Sequence, residues 1–200
     1  MSKKKGTKRE LFASAGDWHN NACLNYMSDH GTAYTEGYRR AADILISHID
    51  ETARDQDFLV YPVVFLYRHH IELHIKQIIH LALQLSDEPD KYRAKSDTHN
   101  LNTLWELSRK LVLEVDDEFR PADFRNINDV VRELHEADLR ATEFRYSRRN
   151  DGERSLEGMS YINTRLFGEI MGNASDDLDG IDAGLRYLLA LESEMRGYDL

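Results

Sequence analysis

The stretch Tyr67–Lys76, YRHHIELHIK, sets one arginine, three histidines, one glutamate and one lysine inside a strongly apolar run. Histidine moves protons near neutral pH, and arginine holds a permanent charge. In an apolar run such groups are either structural salt bridges on the edge of a buried helix or an active site. With about 100° per residue and Ile71 as centre, Val64, Ile75, Ile78, Ala82 and Leu85 fall within about 40° of one line. Arg68 and His74 then flank that stripe, about 60° to either side, where they border a buried face. His70 lies one turn from His74. Glu72 follows Arg68 by four residues and precedes Lys76 by four, so the three can form a charge ladder. His69 falls on the opposite face with Leu66 and Leu73, which makes the helix central or leaves it a face for a partner subunit.

A metal site is the first alternative. His70 and His74 are spaced to share an ion, with His80 or His99 as a further ligand. HIELH is not the zinc-protease motif, because Glu72 does not directly follow the first histidine. The chain has one cysteine, Cys23, so an internal disulfide and a cysteine-based zinc site are both excluded. Neither a metal nor a cofactor is expected.

Two further places carry candidate chemistry. His99, in THNLNTLW, precedes a helix and can project toward the central one. Arg145, Tyr146, Arg148 and Arg149 join an aromatic platform to cations, a combination that stacks on bases and contacts phosphate. The plainer reading of that segment is an exposed loop paired with Glu143 and Asp151. Trp18 and Trp105 fall on apolar stripes and are expected in the core.

The elements that must position these groups read as helices throughout. Stripes run over Leu11–Tyr26, Tyr34–Ile49, Asp57–Leu85, Leu101–Val115, Phe124–Leu134, Leu156–Ile170 and Leu178–Met195. Pro62 suits the first turn of its helix, and Pro121 marks a start. Connectors are expected at 86–97, near Arg120, at 145–154 and at 172–177. The reading is all-α: a single-domain helical bundle of about six to seven helices over residues 11–200, preceded by a basic, flexible arm at 1–10. The 200 residues allow one sizeable core. A net charge of −10 disfavours broad, non-specific nucleic-acid binding but leaves room for a local anion site. The basic start is not followed by a long apolar segment, so a secretory signal, a membrane span and a membrane partner are not expected. A cytoplasmic location is.

Arg68-His69-(x4)-His74 fits the R-x(4–6)-H motif of HEPN domains, including the polar residue that commonly follows the arginine. YTEGYRRAADILISHI (34–49), YPVVFLYRHHIELHIKQII (61–79), HNLNTLW (99–105) and EFRYSRRNDG (143–152) also resemble blocks of bacterial HEPN-like proteins. That resemblance implies a HEPN-like bundle that dimerises. It also implies a metal-independent endoribonuclease in a toxin–antitoxin or anti-phage defence setting, with RNA as substrate and an antitoxin or defence protein as partner. On this mapping Arg68 stabilises the phosphate, His74 handles the proton, and His69 orients the pair. His70, Glu72, Lys76 and His99 support them. Arg68 of one subunit would face His74 of the other. HEPN-like chains with arginine, glutamate and lysine in the order Arg68, Glu72, Lys76 imply the alternative: a structural ladder in a non-catalytic module that binds a nucleotide or a partner protein.

Overall fold

A computed structural model describes residues 11–25, 30–93 and 95–198. Residues 1–30 and residues 31–200 are separate compact units. The basic arm expected at 1–10 lies outside the described residues.

In the first unit, residues 11–25 are irregular apart from one 3-10 turn, Trp18–Asn20. The helix expected over this stretch does not form there. Side chains with short polar arms compete with the helical ladder. Asn21 ties back to both the N–H and the carbonyl of Ala15, each at 2.9 Å, and Asn20 donates to Asp17 at 2.8 Å. Trp18, expected in the core, is instead 70% exposed, because the helix that would carry it inward does not form. Trp105, by contrast, is buried.

The second unit is an all-α bundle. Its helices are α1 (His30–Thr52), α2 (Gln56–Leu85), α3 (Pro89–Arg93), α4 (Leu101–Val115), α5 (Arg125–Ala137) and α6 (Thr164–Tyr198). Among the described residues there is no strand, only an isolated bridge between Arg148 and Arg154. Helix α2 is the axle. It packs against α4 on one side and α6 on another, and α1 is joined to it by side-chain bonds. Ile71, Ile75 and Ile78 are fully buried, in one core with Leu104, Leu111, Ile127, Leu178 and Leu185. Leu66, on the second apolar face of α2, packs against this core, as the reading of a central helix expects.

Pro62 sits inside α2, beyond its first turn. The carbonyl it cannot serve belongs to exposed Phe58, which water can reach. Pro121 does open a 3-10 turn, Pro121–Phe124, that runs into α5. Two expectations fail near the C-terminal end. The stripe Leu156–Ile170 is not one helix, because the backbone turns left-handed at Leu156 (φ 57°) and Gly158 (φ 87°), and α6 begins only at Thr164. Asn163 accepts from the N–H of Leu166 at 3.0 Å and starts it. The connector expected at 172–177 is uninterrupted helix. Its Gly, Asn, Ser and Asp are weak helix formers, but Met171, Ala174, Ser175 and Leu178 bury against the bundle and override local preference.

Candidate functional site

Arg68, His70, Glu72 and His74 are all buried, at 2%, 0%, 2% and 3% exposure. Helical phase sends them to different interfaces. Arg68 and Glu72 turn toward the segment before α4. Arg68 Nη1 donates to Glu72 Oε2 at 3.1 Å, and its Nη2 reaches the carbonyl of His99 at 3.4 Å. Lys76 donates to Glu72 Oε1 at 3.1 Å, which completes the ladder read from the spacing. His99 Nδ1 lies 2.6 Å from that same oxygen. Burial would raise the Glu72 carboxyl, but hydrogen bonds from His99 and Lys76 outweigh it and hold the group below its ordinary range. An ionised carboxylate only accepts, so His99 must donate from Nδ1. Its side chain is 80% exposed, which turns the other ring nitrogen to solvent.

Local chain geometry sets His99 in place. Asn100 caps α4 by accepting from the N–H of Thr103 at 3.0 Å, and its own N–H donates to Thr98 Oγ1 at 3.1 Å. His99 is held between these two bonds.

His70 and His74 face α1 and α6. His70 Nδ1 donates to the carbonyl of Thr35 at 3.0 Å, and its Nε2 is 3.0 Å from Ser175 Oγ. Burial lowers its pKa, and Ser175 Oγ also donates to the carbonyl of Met171 at 2.7 Å. His74 meets His70 edge to face at 5.5 Å. Its Nδ1 has no hydrogen-bond partner among the described residues, and Asp179 is 3.8 Å from Nε2. Burial, then the neighbouring His70, pushes His74 down to about 4. At neutral pH it is an uncharged core group. Asp179 is itself engaged by Arg39, which also pairs with Asp176. The structure thus brings Arg68, Glu72, Lys76 and His99 together and leaves His70 and His74 behind α6.

His69 takes a third direction. Its half-buried ring stacks on Phe65, with centroids 5.8 Å apart and an 8° interplanar angle, and meets the ring of Tyr38 edge-on at 4.4 Å. Burial lowers its pKa, against the pull of nearby Glu72. Arg145 lies over the other end of this stack, 5.6 Å from the Phe65 centroid and 5.4 Å from that of Tyr146. Its loop is ordered from within. Buried Asp138 accepts from the N–H groups of Thr142 and Glu143 at 2.7 and 3.1 Å, and Arg145 Nε donates to the carbonyl of Ala141 at 2.6 Å. Arg149 is clamped on Glu143 at 2.7 and 3.2 Å, and Arg148 donates to the carbonyl of Gly152 at 2.8 Å. These last two arginines are loop braces.

Sequence reasoning missed Phe65, one helical turn before His69 and recognisable by that spacing. It also missed Tyr38, Thr35, Ser175 and Asp138, whose roles depend on contacts between distant segments. A groove of about 310 Å³ between α2, α5, α6 and the segment before α6 has Phe144, Ile162, Phe167 and Met171 in its walls, and Arg68 borders it. Among the described residues no group of three or more histidine, cysteine or acidic side chains is placed to hold a metal ion. No helix among them is long and apolar enough to cross a membrane.

No protein-family model, curated protein or solved structure matches the chain.

Proposed function

We propose that this chain is a HEPN-like helical module that binds its target without cleaving it. The observation that carries this reading is the separation of Arg68 from His74. Arg68 is neutralised within the Glu72 network, and His74 is an uncharged ring enclosed on the α6 side of the helix. Proton transfer to or from a ribose hydroxyl needs a group within hydrogen-bond reach that titrates near the working pH. His74 meets neither condition in this chain. The buried ladder of Arg68, Glu72 and Lys76 serves instead as a polar strut that fixes the segment before α4.

One observation favours the endoribonuclease as second reading. His99 is oriented by a carboxylate and exposes its second ring nitrogen beside Lys76, which is the arrangement of an aligned base. A homodimer, an RNA substrate, an antitoxin or defence partner and a cytoplasmic setting belong with that reading.

Purified protein incubated with total RNA in EDTA separates the two. The binding module leaves the RNA intact. Cleavage leaving cyclic phosphate ends, lost in Arg68→Ala or His74→Ala protein of unchanged circular dichroism, would restore the nuclease on the original residues. Cleavage lost only in His99→Ala would move it to the Glu72–His99 pair.

A further inference from the structure

Two clusters distant in sequence meet on the outer face of α2. From one end, the side chains run Tyr146, Arg145, Phe65, His69 and Tyr38, each within 6 Å of the next by ring centroid or guanidinium carbon. About two helical turns along α2 from His69, Lys76 shares the Glu72 carboxylate with His99. We propose that this aromatic and cationic strip binds single-stranded nucleic acid, with Tyr146 stacking on a base and Arg145, Lys76 and His99 contacting phosphates. The inference rests on the reading as a binding module and names its ligand class.

The chemistry fits on three counts. Base stacking on an exposed ring tolerates any sequence, and Tyr146 is 58% exposed. The Arg145 guanidinium is already ordered between two rings and a backbone carbonyl that occupies only its Nε. Its two outer nitrogens make no bond among the described residues, so a phosphate meets a pre-formed fork. The local charge is also favourable. Glu72 is balanced by Arg68 and Lys76 together, which leaves one positive charge over, and Glu143 is balanced by Arg149. Around Tyr146, Glu136 and Asp151 are matched in number by Arg140 and Arg148, and Arg145 has no carboxylate partner among the described residues, so the strip keeps positive charge on a chain of net charge −10.

Fluorescence anisotropy with a labelled single strand of about twelve nucleotides, as RNA and as DNA, tests this. Binding should weaken at least about fivefold in Tyr146→Ala and in Arg145→Ala, as expected for loss of one stacked base or one phosphate contact. Lys76→Gln should weaken it and reduce the salt dependence. Arg196→Ala, an exposed arginine paired with Glu192 near the far end of α6, should not change it. Circular dichroism checks each variant for folding. Absence of binding at about 100 μM protein, equal affinity for a duplex, or an equal loss in Arg196→Ala would overturn the strip. The same labelled strand run on a gel separates the two proposals. Bound and intact supports both, bound and cut overturns only the non-catalytic reading, and intact but unbound overturns only the strip.

Discussion

At the scale of single residues, Glu72 is the pivot. Its buried carboxylate receives Arg68, Lys76 and His99 at once. Removing one partner of a buried ion pair costs about 3–5 kcal/mol, because the other charge stays buried without compensation. Glu72→Gln should therefore lower unfolding stability by about 3 kcal/mol in urea at neutral pH. His99→Ala, at an exposed position, should change stability little. A Glu72→Gln protein as stable as the parent would show that the ladder is not a strut. The spacing of Arg68, Glu72 and Lys76 made this ladder legible, since neighbours one turn apart meet whatever the rest of the fold does. The fourth member was not legible in the same way. His99 arrives from a different helix start, and only packing of α4 on α2 brings it there.

At the scale of elements, α6 shows how burial overrides composition. It runs unbroken through residues of weak helix propensity, and its glycines divide by environment. A Cβ at Gly172 would meet nothing within 4 Å, whereas one at Gly168 would lie 3.0 Å from Ile46 Cγ2. Gly172→Ala should stabilise the fold by about 0.5–1 kcal/mol through lower unfolded-state entropy and better propensity. Gly168→Ala should gain less or lose, since Ile46 must give way. Thermal unfolding of both variants checks the contrast, and equal gains would mean that the α1–α6 contact is looser than described. The stripe Leu156–Ile170 failed as a helix for a related reason. Apolar spacing alone does not register left-handed backbone at Leu156 and Gly158.

For the whole molecule, the buried histidines set the response to acid. The pKa of His74 is about 4 in the fold against an ordinary 6.5, and His70 is shifted in the same direction. Below pH 6.5 the unfolded chain takes up protons that the folded chain refuses, so stability falls as the pH drops. His74 alone accounts for on the order of 3 kcal/mol lost between about pH 6.5 and 4. Around it stand Asp179 and Asp182 on one side of the balance and Arg39 and Arg186 on the other. Glu72, shifted below its ordinary 4.5, adds a further loss only under more acid conditions. Urea midpoints across this range should slope steeply in the parent and flatten in His74→Gln. An unchanged slope would assign the acid response elsewhere.

The sequence by itself determined that this is an all-helical chain built on one long apolar helix, with Arg68 and His74 on its shoulders. Those features follow from helical periodicity and from neighbours one turn apart, which are local. It also held the ladder of Arg68, Glu72 and Lys76. Only the tertiary structure decided which shoulder met which neighbour. Contact with α6 made His74 a neutral core ring, contact with the start of α4 delivered His99 to Glu72, and the loop after α5 laid Arg145 on Phe65. Each depends on how segments far apart in the chain pack, and burial at those contacts sets the charge state on which function turns.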